Sequence, residues 1–127
     1  MGSEIPTPVG PYSPFVAVDG WVYVSGQTAI DPASGRLLVG DMAAQTRLAL
    51  KNLKAVLSAA GCAVQDVVKV TAFLTDIQDF AAMNQEYAQF FNAHLPARST
   101  VAVRGLPLEA QVEIEAVARL RSSGSTE

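Results

Sequence analysis

The amino-acid sequence predicts an α+β domain in which one mixed β-sheet carries two helices on one face. Three observations predict this fold. The chain has 127 residues, which suggests one domain. Half of the residues are hydrophobic, enough to form a core without disulfides or metal ions. Short β-type segments alternate with two segments of helical periodicity, in the order β-β-α-β-α-β-β.

The first two strands are predicted at 15–18 and 21–25. Asp19-Gly20 between them is typical of a two-residue hairpin turn, because both residues tolerate a positive φ. The preceding residues, 5–14, contain four prolines and one glycine. Proline fixes φ and lacks an N–H donor, so this segment is predicted to be an extended arm.

The first helix is predicted at 41–60, where apolar residues recur at helical spacing. Asp41 is a suitable N-cap, and Gly61 stands where a helix often ends. The second helix is predicted at 79–93, with Asp79 as its N-cap. Its inward stripe is predicted to be Phe80, Met83, Tyr87 and Phe90.

The remaining strands are predicted at 67–74, 96–103 and 112–118, and the last two are joined by a loop with Gly105 and Pro107. Several strands are apolar on both faces, although two helices cover only one face of a sheet. Because no sequence is left to cover the second face, another copy of the chain is the simplest cover. The pattern therefore predicts a homo-oligomer.

The net charge of −3 and the lack of a basic, aromatic-rich face argue against a nucleic-acid partner. One cysteine and one histidine are too few for a zinc site or a disulfide framework. The N-terminus lacks the pattern of a signal peptide, and no apolar run is long enough to span a membrane. We therefore expect a cytoplasmic protein, no metal and no membrane partner, and a disordered tail at 121–127.

Two charged residues stand out because they lie in apolar strand sequence: Arg98 and Glu113. Strand alternation places Glu113 on the face assigned to a neighbouring subunit, where burial raises a carboxyl pKa unless a cation is near. Arg98 is the candidate cation, and a guanidinium binds a carboxylate with two hydrogen bonds. Together they form a minimal site for water chemistry on a small carboxylic acid. The alternative is an Arg–Glu pair that joins subunits.

A set of short motifs resembles the reactive intermediate deaminase family (Rid, or YjgF-like), in particular its RidA branch. The motifs follow the family order and cover about residues 8–120, so that 1–127 is interpreted as a single Rid-like domain. Among them are Gly10-Pro11-Tyr12-Ser13, Val24-Ser25-Gly26-Gln27, Phe73-Leu74-Thr75-Asp76, Pro96-Ala97-Arg98-Ser99 and Val112-Glu113-Ile114-Glu115-Ala116.

The resemblance implies a chorismate-mutase-like fold that assembles as a homotrimer with clefts between subunits. It also implies hydrolysis of reactive enamines and imines, such as 2-aminoacrylate and 2-iminopropanoate, to 2-keto acids and ammonia, without a cofactor. These intermediates escape from pyridoxal-phosphate enzymes that act on serine or threonine. The implied role is therefore metabolite damage control.

By position, Arg98 matches the arginine that binds the substrate carboxylate, and Glu113 matches the glutamate that positions or activates water. The residues that match the cleft lining are Tyr12, Ser25, Gly26 and Asn84. Thr100 stands where many RidA members have a cysteine, and its backbone N–H can still serve the carboxylate. This difference, with a changed arm after Tyr12 and a short loop before residue 96, leaves the substrate side-chain preference open.

Three other interpretations remain at this point. The first is a non-catalytic trimer that binds small carboxylate metabolites or a partner protein in the same clefts. The second is a ribonuclease or translation inhibitor, as some family members are described, against which the acidic balance argues. The third is a Rid-like deaminase for a larger aminated dienoate.

Overall fold

The computed structural model describes residues 5–121. The element order is β-β-α-β-α-β-β, which confirms the predicted order, with three short 3-10 turns at Val64–Asp66, Ile77–Asp79 and Pro107–Glu109. The strands and helices are β1 (Phe15–Val18), β2 (Trp21–Gln27), α1 (Met42–Ala59), β3 (Val67–Leu74), α2 (Phe80–Phe91), β4 (Ala97–Ala102) and β5 (Val112–Arg119).

The five strands form one sheet in the order β1-β2-β5-β3-β4. β3 and β4 are parallel, and all other neighbours are antiparallel, so the sheet is mixed as predicted. β3 lies between β4 and β5. The strands that carry Arg98 and Glu113 are therefore not neighbours, although they follow each other in the chain.

The predicted turn and capping residues around β1, β2 and α1 take the predicted conformations and contacts. Asp19 and Gly20 turn β1 into β2 with φ of 53° and 83°, as a two-residue hairpin requires. The Asp41 side chain accepts a 2.8 Å hydrogen bond from the backbone N–H of Ala44, a cap that stabilises a helix by about 1 kcal/mol. Gly61, with φ of 88°, follows the end of the helix.

The start of α2 differs from the prediction. The helix begins at Phe80, after the 3-10 turn Ile77–Asp79, and Asp79 makes no side-chain capping bond. Asp76 takes that role and accepts a 2.9 Å hydrogen bond from the N–H of Gln78. Because the 3-10 turn precedes the helix, the first backbone N–H groups without a helical partner belong to the turn. Asp76, which stands just before the turn, therefore caps them.

The buried stripe of α2 also differs from the prediction at both of its ends. Its buried members are Met83, Tyr87 and Phe91, whereas Phe90 is only half-buried and Phe80 is 40% exposed. The stripe follows a spacing of four residues along the helix. Phe90 therefore lies at its edge and packs against Phe91 with ring centroids 4.9 Å apart.

The two helices cover one face of the sheet, and alternate strand residues beneath them are buried. This face contains Val22, Val24, Val70, Ala72, Leu74, Val112, Ile114, Ala116 and Ala118. The opposite face is covered by none of the described elements and exposes apolar side chains, among them Val16, Val18, Tyr23 and Val101. The sheet is thus apolar on both faces, as the sequence predicts.

The last described residue, Arg121, forms a 2.7 Å ion pair with Asp66. The predicted tail therefore begins with a residue that is held on the domain. The rest of that tail, 122–127, lies outside the described residues. Between residues 5 and 121, neither helix is long and apolar enough to cross a bilayer.

Candidate active site

A β-bulge interrupts β2 at Ser25 and Gly26. Val24 pairs with Ala116 and Gln27 pairs with Ile114, so three steps along β2 oppose two steps along β5. A bulge adds one residue to a strand, bends it and changes the direction of nearby side chains. Here it leaves the space between β2 and β5 into which Glu113 extends.

Gly26 lies directly against the carboxyl group of Glu113. A β-carbon at position 26 would lie 2.6 Å from Cδ and 2.8 Å from Cγ of Glu113. Real β-carbons do not approach other atoms so closely, so only glycine leaves the Glu113 side chain in its present place.

Ser25 attaches the N-terminal arm to the bulge. Its hydroxyl donates a 2.6 Å hydrogen bond to the carbonyl of Ser13, and its N–H donates a 2.9 Å bond to the carbonyl of Pro14. These bonds place Tyr12, which is half exposed, near Glu113. We call Tyr12, Ser25, Gly26 and Glu113 the glutamate half-site.

A cavity of about 30 Å³ lies in the glutamate half-site. Tyr12, Gly26, Glu113 and Leu108 are among its lining residues. A cavity needs on the order of 10–15 Å³ of such volume to hold one water molecule. The half-site can therefore hold a water molecule beside a carboxylate.

Burial raises the pKa of the Glu113 carboxyl above its usual value, and the negative charge of Glu115 raises it further. This direction agrees with the prediction for a carboxylate on the second face of the sheet. A raised pKa makes the carboxyl better able to take and return a proton near neutral pH.

Arg98 lies on the other side of the sheet, between β4 and α2. Its Cζ is 4.5 Å from the ring centroid of Tyr87 and 5.6 Å from that of Phe80. Within residues 5–121 the ion pairs join Arg47 to Glu86 and Arg121 to Asp66, and Arg98 has no carboxylate partner. The guanidinium is covered by two rings but its charge is not neutralised.

Two predicted cleft residues, Asn84 and Thr100, lie in the same crevice between α2 and β4. The side-chain oxygen of each is buried without a hydrogen-bond partner among the described residues. Thr100 shares the face of β4 with Arg98, and Asn84 lies one turn of α2 from both rings. We call Arg98, Asn84 and Thr100 the arginine half-site.

The two half-sites do not meet within one chain, so the expectation that Arg98 is the cation near Glu113 stays a prediction about two neighbouring subunits. Arg98 pairs with Val70 of β3, whereas Glu113 pairs with Phe73. Val70 and Phe73 are three residues apart in one strand, so their side chains lie on opposite faces. Arg98 therefore lies on the helix face, and Glu113 on the uncovered face.

Two residues near the half-sites were not singled out from the sequence. Leu108, in the cavity lining, has a φ of 59°, which a leucine rarely adopts, and no local pattern signals this. Tyr87 is predicted from the sequence as a member of the inward stripe of α2 and is not among the predicted cleft residues. Its place near the site could have been predicted from the sequence, because Phe80, Asn84 and Tyr87 follow the spacing of one helical face.

The described residues offer no metal site, because no three His, Cys, Asp or Glu side chains between residues 5 and 121 are grouped to hold an ion. The polar atoms of the two half-sites are instead a guanidinium, a carboxyl, hydroxyls and an amide. These groups bind and exchange protons with small polar organic molecules.

A family model described as Endoribonuclease L-PSP matches residues 2–120. The human 2-iminobutanoate/2-iminopropanoate deaminase is 46% identical over 116 residues, which are 91% of this chain and 85% of the human protein. Both matches extend over nearly the whole domain, and the residues matched by the family model include both half-sites.

Two solved structures share the fold. YyfA from Yersinia pestis, described as a protein of unknown function of the conserved Rid protein family, has a TM-score of 0.90 and 43% identity, with 93% of this chain and 94% of that chain covered. TdcF from E. coli with bound serine has a TM-score of 0.87 and 42% identity, with 92% and 94% covered. The fold is thus the chorismate-mutase-like fold predicted, and the chain belongs to the Rid (YjgF-like) family.

Proposed function

We propose that this protein hydrolyses reactive 2-enamine and 2-imine carboxylates, of the 2-aminoacrylate and 2-iminopropanoate type, to 2-keto acids and ammonia. The observation that carries the proposal is Arg98, a half-buried guanidinium with two aromatic contacts and no described carboxylate partner. Such a group is suited to bind a carboxylate substrate. The name of the human relative, an imine deaminase, supports the same chemistry.

We further propose that the protein acts as a homotrimer in which the arginine half-site of one subunit meets the glutamate half-site of the next. Two observations support this. The half-sites lie on opposite faces of one sheet, so a single chain cannot present both to one small molecule. The uncovered face exposes Val16, Val18, Tyr23 and Val101, an apolar surface typical of an interface. In a cyclic assembly, unlike surfaces meet at every interface.

In the proposed reaction, the carboxylate of the imine binds to Arg98. Each charge-assisted hydrogen bond contributes about 1.5–3 kcal/mol. A water molecule beside Glu113 attacks C2, and Glu113 takes a proton from the water and passes it to the imine nitrogen, which gives a neutral carbinolamine. Glu113 then takes the proton of the carbinolamine hydroxyl and passes it to the amine, so that C2 becomes a carbonyl as the C–N bond breaks and ammonia leaves. One water is consumed for each ammonia released, and no step requires a cofactor.

The other residues of the half-sites have supporting roles in this proposal. Gly26 leaves room for the Glu113 carboxyl, and Ser25 holds the arm that brings Tyr12 to the cavity. The backbone groups near Gly26 and Thr100 complete the site around the substrate. We expect the activity to serve metabolite damage control in the cytoplasm.

The test is a mixing experiment with two variants, Arg98→Ala and Glu113→Gln. Each substitution disables one half-site. Each variant alone should therefore form little ammonia and 2-keto acid from enzymatically generated 2-aminoacrylate. When the two chains are co-expressed, a cleft with both intact residues forms wherever an Arg98→Ala subunit supplies Glu113 and its neighbour supplies Arg98. Random assembly at equal amounts makes about one quarter of the clefts intact.

Recovery of activity in the mixture, and none in mixtures of separately folded variants that do not exchange subunits, supports a shared cleft. Turnover by either variant alone at the wild-type rate contradicts the assigned roles. Arg98-dependent binding of small carboxylates without turnover by the wild type would favour the non-catalytic interpretation. A panel of imines with larger side chains, including an aminated dienoate, tests the remaining deaminase alternative.

A further inference from the structure

Tyr87 is the closest aromatic neighbour of Arg98. The ring centroid of Tyr87 is 4.5 Å from Cζ of Arg98, whereas that of Phe80 is 5.6 Å away. Tyr87 is 5% exposed and Phe80 is 40% exposed. A buried ring beside a guanidinium restricts the plane of the guanidinium, and cation–π attraction is stronger where water is excluded. Tyr87 therefore has more influence than Phe80 on the direction of the Arg98 donors.

The hydroxyl of Tyr87 is buried and makes no hydrogen bond of standard geometry among the described residues, although the Arg98 guanidinium is close enough to it to lower its pKa. Asn84 Oδ1 and Thr100 Oγ1, in the same crevice, also lack partners. Buried polar groups in folded proteins are nearly always paired, so each exception needs an explanation. Three exceptions around one guanidinium, from two different elements, indicate that a polar ligand supplies the missing partners.

The protonation state of Tyr87 suits this purpose. Burial raises the pKa of the Tyr87 phenol above its usual value, although the positive charge of Arg98 and the polar contact of the hydroxyl with its guanidinium act in the opposite direction. A guanidinium can only donate, so this contact leaves the proton of the hydroxyl free to bind an acceptor. The hydroxyl therefore keeps its proton at neutral pH and can donate a hydrogen bond to an anionic oxygen.

We infer that Tyr87 belongs to the arginine half-site: its ring fixes the plane of the Arg98 guanidinium, and its hydroxyl donates a hydrogen bond to the carboxylate that Arg98 binds. The inference rests on the proposed function for its effect on turnover, whereas its effect on carboxylate binding can be measured without turnover. The alternative is a purely structural role, since the ring also packs against Phe91 at 4.7 Å.

Two substitutions separate the two roles of Tyr87. Tyr87→Phe keeps the ring and removes only the hydroxyl, while Tyr87→Leu removes both and keeps an apolar side chain. The probe is pyruvate, a 2-keto acid carboxylate, titrated into the full-length protein by calorimetry. Arg98→Ala defines the binding that depends on the guanidinium. Ser58→Ala, at an exposed position of α1 outside both half-sites, is the control for loss of a hydroxyl outside the crevice.

We expect Tyr87→Phe to weaken pyruvate binding about tenfold, because it removes one hydrogen bond to a charged group. Tyr87→Leu should weaken it about two- to fivefold more, because the cation–π contact is also lost. Ser58→Ala should bind pyruvate as the wild type does. With imine substrate, Tyr87→Phe should raise KM with little change in kcat, since the lost bond is made equally before and during the reaction.

Pyruvate affinity of Tyr87→Phe equal to that of the wild type would overturn the role of the hydroxyl. Equal affinities of the Phe and Leu variants would overturn the role of the ring. A wild type that shows no Arg98-dependent pyruvate binding would overturn the whole inference. Failure of the proposed function has a different signature: no ammonia above the spontaneous rate, with pyruvate binding that still depends on Arg98 and Tyr87. If Tyr87→Leu does not fold, the comparison of Tyr87→Phe with the wild type decides.

Discussion

Gly26 of β2 and Glu113 of β5 are in such close contact that the backbone of one occupies the space next to the carboxyl of the other. A β-carbon at position 26 would lie 2.6 Å from Cδ of Glu113. The bulge in β2 produces this approach, so the position of the proposed proton-transfer group depends on the absence of a single methyl group.

We expect Gly26→Ala to displace Glu113 and to lower the free energy of unfolding by about 1–3 kcal/mol, the usual cost of overpacking. Deaminase activity should fall with it. Chemical denaturation and the ammonia assay measure the two effects. Gly105→Ala is the matched control, because a β-carbon there meets no atom within 4 Å. In combination with Glu113→Ala the cost of Gly26→Ala should largely disappear, and purely additive effects would contradict the contact.

The chemistry of the Arg98 head group can be tested with a lysine. Arg98→Lys keeps the charge but loses the planar donor pair and its stacking on Tyr87. We expect KM for the imine to rise about tenfold or more, because the loss of one charge-assisted hydrogen bond weakens binding by about that factor. Arg119→Lys is a suitable control, since Arg119 stacks on Trp21 at 4.7 Å, outside both half-sites. A wild-type KM for Arg98→Lys would show that charge alone is sufficient.

The pH profile of the reaction should report on Glu113. Burial, followed by the negative charge of Glu115, raises the pKa of Glu113. The carboxylate form accepts the proton from water, so kcat/KM, corrected for spontaneous hydrolysis, should decrease as pH falls through this raised pKa. The decrease should begin at a higher pH than an ordinary glutamate gives. Glu115→Gln removes the negative charge that raises the pKa of Glu113, so the fall in kcat/KM should move to lower pH. If the fall stays at the same pH, a group other than Glu113 controls it.

The turn before β5 contains two consecutive non-glycine residues with positive φ, Leu108 at 59° and Glu109 at 62°. The left-handed region costs roughly 1–2 kcal/mol for such residues. Glycine adopts this φ without strain, but it also gives the unfolded chain more conformational entropy, which offsets part of the gain. We therefore expect Glu109→Gly to raise the free energy of unfolding by about 0.5–1 kcal/mol. Urea denaturation measures the change. Glu109→Ala removes the charge but keeps the unfavourable φ, so an equal gain from alanine would contradict the explanation.

The sequence predicts the elements of this fold well where a local chemical signal marks each end. Asp41 and Gly61 define α1 because a side-chain cap and a left-handed glycine act within one turn of the helix. The boundaries of α2 were less accurate because a 3-10 turn precedes the helix and moves the cap to Asp76. No local pattern reports such a turn.

The candidate site was predicted residue by residue, but its division into two half-sites was not. Whether Arg98 meets Glu113 depends on which strand lies between β4 and β5, and strand order is a property of long-range pairing. Alternation within β5 placed Glu113 on the uncovered face correctly. Arg98 could be placed only through its pairing with Val70, which lies 28 positions earlier in the sequence.

The bulge at Ser25 and Gly26 has a consequence for how this site can change during evolution. One added residue in β2 both anchors the N-terminal arm and opens the space for Glu113. Deletion of Ser25 or Gly26 would restore regular pairing, with Gln27 still opposite Ile114. Loss of Ser25 would remove the hydroxyl that binds the arm, and loss of Gly26 would remove the residue whose missing side chain leaves room for Glu113. A change of length at this point therefore alters the arm or the position of the carboxyl, whereas loops far from β2 can change length without either effect.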